Sequence, residues 1–160
     1  MKPTFHYLAR AIIRDGEFVL LAHLHGADNT FLPGGHIESG EAARPALARE
    51  LREELNVESE IGRFVGAVEH AWQDGQAQHC EINLVFEAHV SGLRATSQPV
   101  VGTDAEPGLE FRWVRVAELL ANNLQPSPLI AWLQSMANGS QEVRPEEMPL
   151  WGSTIEELSE

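Results

Sequence analysis

Cysteine occurs once in this 160-residue chain, at Cys80, so no intrachain disulfide can form and the chain suits a reducing compartment. Basic residues are scarce: 11 Lys and Arg stand against 24 Asp and Glu, a formal charge of −13. That balance lacks the basic stripe a nucleic-acid backbone demands, so no polymeric nucleic acid is expected as a partner. Long apolar runs are missing too, and none approaches the ~20 residues of a membrane helix. The opening MKPTFHYLARAIIRDG shows no apolar segment ending at a small-residue cleavage site. Internal repeats and low-complexity runs are absent. These absences point to a cytoplasmic protein without membrane association. They leave a small phosphate substrate open, provided metal ions supply the positive charge.

The chain does contain enough apolar residues, 43%, for one domain with its own core. Six acids (Glu142, Glu146, Glu147, Glu156, Glu157, Glu160) crowd the last twenty residues against one Arg144. The chain is therefore expected to divide into a domain over 1–140 and an acidic tail over 141–160. The tail's apolar cluster, Met148-Pro149-Leu150-Trp151, suggests that Trp151 anchors it on the body of its own or a partner subunit.

Leu8–Ile13 and Phe18–His23 are apolar runs joined at Asp15-Gly16, which predicts a hairpin. HGADNTFLPGGHIESGE is rich in turn formers and reads as a loop. Pro45 suits only the first turn of a helix, which places the helix start near Ala42 or Ala43; Asn56 suits its C-cap. Strands follow at Ile61–His70 and His79–Val90, around a turn at Gln73–Gln76. The second alternates, with Cys80, Ile82, Leu84, Phe86, Ala88 and Val90 on one face and His79, Glu81, Asn83, Val85, Glu87 and His89 on the other. Ser91–Gly108 reads as a long loop with room for a short edge strand, Phe111–Val114 as a strand, and Val116–Ala121 as a short helix. Ser127-Pro128 opens a last helix whose Leu129, Ile130, Trp132, Leu133 and Met136 face the core, and Asn138-Gly139 stops it.

On the central helix Leu47, Leu51 and Leu55 make one stripe, with Glu50, Glu53 and Glu54 beside it and Glu54 nearest the leucines. Like charges at that spacing repel, and more strongly at the edge of a core. Pairs such as Arg49–Glu53 on a solvated face would account for three glutamates alone. The wider pattern adds more. Gly35, five residues, Glu41, seven residues, then Arg49-Glu50-Leu51-any-Glu53-Glu54-any-any-Val57 resembles the Nudix box, with Leu32-Pro33-Gly34 ahead of it. Asn56 replaces the late glycine, a change that touches helix termination because asparagine takes the same cap geometry.

The resemblance implies an α/β/α sandwich with a curled mixed sheet and a pyrophosphohydrolase that sends water onto the diphosphate of a nucleoside diphosphate linked to another group. A nucleotide sugar or ADP-ribose is the first substrate expected and a nucleoside triphosphate the second; a non-catalytic nucleotide sensor is the rival class. Carried over by position, Gly34 (through its carbonyl), Glu50, Glu53 and Glu54 would bind Mg²⁺, with Mn²⁺ as a substitute. Such ions reverse the sign of an acidic pocket and lower the pKa of the attacking water. Arg49 would orient a box glutamate and Glu41 would support the loop–helix geometry. The base is either a box glutamate or an acid of GTDAEPGLEF, where Glu106 is preferred over Asp104 and Glu110. The family also implies a homodimer. His36, inside the box loop beside the implied phosphate site, is a candidate substrate contact. Glu81 and Asn83 could line a pocket, although a solvated sheet face is the stronger account of them. Trp72, Phe31 and Tyr7 could stack a base. No pair among the seven histidines has the spacing of a zinc motif.

Overall fold

The computed structural model describes residues 2–96, 100, 102–138 and 149–155. Among these the chain runs β1 (Thr4–Ile12), β2 (Arg14–Asp15), β3 (Phe18–Leu24), β4 (Gly34–His36), α1 (Ala43–Leu55), β5 (Ser59–Asp74), β6 (Ala77–Val90), β7 (Leu109–Arg115), α2 (Pro128–Ala137) and β8 (Leu150–Ser153). One sheet has the order β4-β1-β6-β5-β8 and a smaller one the order β2-β3-β7. The larger sheet is mixed: β1 lies parallel to β6 and β8 to β5, while β4 and β6 are antiparallel to β1 and β5. Register shifts near Phe64 bulge β5 and raise the local twist.

α1 starts at Ala43 with Pro45 in its first turn, and Asn56 caps it in the left-handed region (φ 53°), donating its N–H to the Arg52 carbonyl. Its buried Leu47, Leu51 and Leu55 pack on Ala9, Ala11, Phe86 and Phe111. On the opposite side of the sheets, Leu129 and Leu133 of α2 pack among Ile12, Val19, Val68 and Val85. The result is a mixed α/β fold with helices on both faces.

Three expectations from the sequence change here. The Asp15-Gly16 turn closes a hairpin, but its first arm is only Arg14–Asp15. The longer apolar run belongs to β1, whose partner is β6, from Thr4 opposite His79 to Ile12 opposite Glu87. Leu8, Ala9, Ala11 and Ile12 are all buried, as befits an interior strand covered on both faces. The expected loop before the helix contains β4 and forms a seam between the sheets. Phe31 exchanges backbone hydrogen bonds with Ala22 of β3 (2.8 and 3.0 Å), and Ala11 of β1 donates to the Pro33 carbonyl (2.8 Å). The expected helix at Val116–Ala121 is a 3-10 turn over Val116–Glu118, and Asn123 soon takes a left-handed φ of 48° that no helix continues through.

The tail also differs. Trp151 is 62% exposed and does not anchor it on the body of its own subunit. Leu150 packs into the α2-side core instead, and β8 pairs with β5 where Gly66 leaves room: a Cβ at residue 66 would lie 2.9 Å from the Leu150 nitrogen. Met148, Gly139, the proposed boundary at residue 140, and 97–99 and 101 in the centre of the long loop lie outside the described residues. No helix among the described residues is long and apolar enough to cross a membrane.

Candidate active site

The seam places the box. At Gly34 the chain turns with φ 128°, where a Cβ would come within 2.9 Å of Leu47 Cδ1, so only glycine fits between β1 and α1. At Gly35 a Cβ would strike the Glu50 carboxylate. The two glycines therefore lay backbone directly against the acidic face of α1.

That face is divided by Arg49. Its guanidinium donates to Glu41 (3.0 Å from both Nε and Nη2), to Glu50 (2.9 Å), to Glu53 (3.3 Å) and to the His36 carbonyl (3.1 Å). The hydrogen bonds to Glu41 raise the Arg49 pKa, and Arg49 in turn holds the Glu41 carboxyl below its ordinary range. Glu41 also accepts the Glu38 N–H, closing the loop onto the helix. Glu50 is mostly covered; the Glu53 carboxylate is half exposed and, among the described residues, engaged only by Arg49.

Glu54 is different. It is 7% exposed, and its Oε2 is buried with no hydrogen-bond partner among the described residues. Burial pushes its pKa up to about 8; Arg10 opposes that, Glu50 and Glu106 add to it, and a hydrogen bond from the Gly34 N–H lowers it. Among the described residues no three His, Cys, Asp or Glu side chains converge as a ready-made ligand set, because Arg49 draws Glu50 and Glu53 toward itself.

Glu106 lies in the exposed loop before β7. Thr103 docks that loop on the C-terminus of α1, its N–H donating to the Glu54 carbonyl (2.7 Å) and its hydroxyl to the Glu53 carbonyl. The loop thereby brings the Glu106 charge to bear on Glu54. Asp104 and Glu110 are exposed on the same loop and strand end, and Glu110 faces His23 at 3.8 Å.

Beside the box a cleft of about 800 Å³ opens between the Leu24–Asn29 turn, the β5–β6 hairpin end and the Asn123–Gln125 segment. Arg10, Phe31, His70, Trp72 and Glu81 line it. Trp72 and Phe31 are thus in the cleft, whereas Tyr7 is not among its lining residues. Glu81 reaches it, and the solvated-face reading fails for this strand face. Asn83 is fully buried beneath, donating to Glu81 (2.9 Å). His36 is not in the cleft. Its ring ends a chain of three imidazoles, with His36 Nε2 2.9 Å from His6 Nδ1 and His6 Nε2 2.9 Å from His79 Nδ1, and Trp72 stacks on His79 at 4.0 Å. Burial, followed by His36 and His79, lowers the His6 pKa. Sequence spacing hid this cluster because its members come from three strands.

Two residues that line the cleft escaped the sequence reading altogether. Arg10 donates through Nη1 to the carbonyls of Gly34 (2.7 Å) and Leu32 (3.3 Å) and through Nε to Asn83 Oδ1 (3.2 Å). His70 bonds Thr154 beyond β8 (2.8 Å). A lone arginine inside an apolar run was the one available signal for the first; nothing local marked the second.

A glycine-lined acidic helix packed on a mixed sheet, with a cleft of about 800 Å³ alongside, defines the class of the protein: a mixed α/β fold with an acidic helix face beside a cavity. The family model described as NUDIX domain matches residues 4–133, and the chain belongs to that family; it is a Nudix hydrolase. It is 36% identical over 107 residues to the CTP pyrophosphohydrolase of Escherichia coli (strain K12), covering 65% of this chain and 78% of that protein. Among solved structures it resembles the E. coli ORF135 protein (TM-score 0.55, 25% identity, 91% of this chain and 96% of that one). It also shares its fold with a MutT NUDIX hydrolase from Burkholderia pseudomallei (TM-score 0.62, 21% identity, 82% and 97%).

Proposed function

We propose that the chain is a Mg²⁺-dependent pyrophosphohydrolase of nucleoside diphosphates linked to a further group, with a nucleoside triphosphate as the first substrate. Glu54 carries this reading. A buried carboxylate oxygen with no partner among the described residues, near enough to Glu50 for the two charges to act on each other, is a costly arrangement for a helix face and a fitting one for a hard cation. Glu54, Glu50 and the Gly34 carbonyl would hold the metal, and Glu53 would join them on release from Arg49. Mn²⁺ suits the same oxygen donors. When bound, the metal neutralises phosphate charge and lowers the pKa of the attacking water.

The protein's own residues divide the remaining work. Trp72 and Phe31 offer aromatic faces to a base in the cleft, and Glu81 offers an acceptor. Arg49 fixes Glu50 while leaving the far side of its carboxylate toward Gly35. Glu106 is the general base: it takes the proton of the water that attacks phosphorus, and the anhydride P–O bond breaks as the leaving group departs, pyrophosphate in the case of a triphosphate. The triphosphate preference follows the E. coli relative named as a CTP pyrophosphohydrolase. The cleft also accommodates a second reading, a nucleotide sugar or ADP-ribose, whose second moiety would lie in it beside the base.

A substrate panel with and without Mg²⁺ tests both. Release of pyrophosphate and nucleoside monophosphate from CTP or another triphosphate supports the first reading. Release of a sugar phosphate from a nucleotide sugar supports the second, and no metal-dependent hydrolysis of any member sinks both.

A further inference from the structure

We infer that Arg10 ties the nucleotide cleft to the metal cradle, holding the Gly34 carbonyl on one side and presenting its Nη2 group to an oxygen of the bound nucleotide on the other. The inference rests on the proposed reading of both sites and assigns the coupling between them to one residue. Arg10 is the group common to both: it lines the cleft, and it bonds the carbonyl assigned to the metal.

Three of its five N–H groups are engaged and the two on Nη2 are not. Nε meets Asn83 Oδ1, and Nη1 meets Leu32 and Gly34, while Nη2 makes no hydrogen bond among the described residues. The orientation is fixed from below. The Asn83 amide nitrogen donates to Glu81 Oε1 and the Val68 carbonyl, so its oxygen must face Arg10. It is fixed from the side as well, since the guanidinium lies 5.0 Å from the centre of the Phe31 ring, whose backbone is locked to Ala22. A rigid planar fork can meet such divergent acceptors at once; an ammonium on a flexible stem cannot.

The opposing reading is that Arg10 only compensates charge. Glu81, Glu54, Glu50 and Glu106 all hold its proton against the burial that lowers its pKa. The two readings differ in sign. If Arg10 merely offsets the acids, Arg10→Met leaves the cradle more negative and cation affinity rises. If Arg10 positions the Gly34 carbonyl, affinity falls despite the added negative charge.

Mn²⁺ titrated into the nucleotide-free protein, followed by calorimetry, reads this without any turnover. For Arg10→Met and Arg10→Lys we expect Mn²⁺ binding weaker by ~10-fold or more, the range seen when a residue supporting a ligand is lost. We also expect a KM raised by a similar factor for whichever panel member the wild type hydrolyses. Stronger Mn²⁺ binding in Arg10→Met, or a change in only one of the two readouts, overturns the coupling. Should both variants fail to fold, Asn83→Ala keeps the Arg10 charge and removes one anchor; both readouts must then weaken in the same direction, and unchanged values overturn the inference. A wild type that hydrolyses nothing defeats the functional reading instead, whereas an active wild type with an indifferent Arg10→Lys defeats this inference alone.

Discussion

Gly35 lies directly against the Glu50 carboxylate: a Cβ built at residue 35 would fall 2.5 Å from both Cδ and Oε2 of Glu50. The obstacle is the end of a flexible side chain, so alanine at this position should displace Glu50 and leave the backbone in place.

Gly35→Ala is therefore expected to fold with nearly native thermal stability while losing ~10–100-fold in kcat or metal affinity, as misplacing a ligand does. Circular dichroism melting and steady-state kinetics check this. Native kinetics would show that Glu50 needs no fixed position.

Glu54→Gln should abolish turnover by orders of magnitude and yet stabilise the metal-free protein at alkaline pH. Burial raises the Glu54 carboxyl from its ordinary 4.5 to about 8. Between those values the folded protein keeps a proton that the unfolded chain has lost, so stability falls as pH rises from about 4.5 to about 8. The glutamine removes that slope. In chelator, the variant's Tm should match the wild type near pH 4.5 and exceed it by roughly 4 °C or more at pH 8. Parallel melting curves across the range would contradict the buried, unpartnered carboxylate.

Mg²⁺ or Mn²⁺ should raise the wild-type Tm because ions that bind only the folded state stabilise it, by about 2.7 kcal/mol at a hundredfold excess over Kd. Chelator should remove activity reversibly, and Glu54→Gln should lose most of the metal-induced shift. A Tm indifferent to millimolar metal would return the glutamates to the status of a solvated helix face.

Deleting residues 149–160 should raise KM. β8 covers the β5 edge, and Thr154 just beyond it bonds His70, a lining residue of the cleft whose pKa burial lowers. Thr154→Val removes that one bond and should raise KM by a smaller factor with kcat nearly unchanged. The exposed Trp151 makes size-exclusion mass the companion measurement: a truncated form of lower mass places Trp151 in a dimer interface. If KM and mass both stay as in the full chain, β8 has no part in the site.

Much of the site was legible in the sequence because its determinants are local. Pro45 and Asn56 bound α1 by rules that act within one turn, and the spacing from Leu47 to Leu55 alone sets which side chains share a helix face. Alternation in β6 correctly divided its residues between two faces, but period-two patterning says nothing about which strand lies alongside. The parallel pairing of β1 with β6, the seam at Phe31–His36 and the docking of β8 on β5 join segments far apart in the chain, and only the folded sheet decides them. The same holds for the residues those pairings bring together. Arg10 reads in sequence as a charge misplaced in an apolar run; its partners at Gly34 and Asn83 come from two neighbouring strands. His6, His36 and His79 have no common spacing and meet across three strands. The sequence by itself determined the acidic helix and the order of its carboxylates, because a helix face depends on neighbours three and four residues away; the cleft, and the arginine that lines it and bonds the Gly34 carbonyl, arose only from contacts between strands distant in the chain.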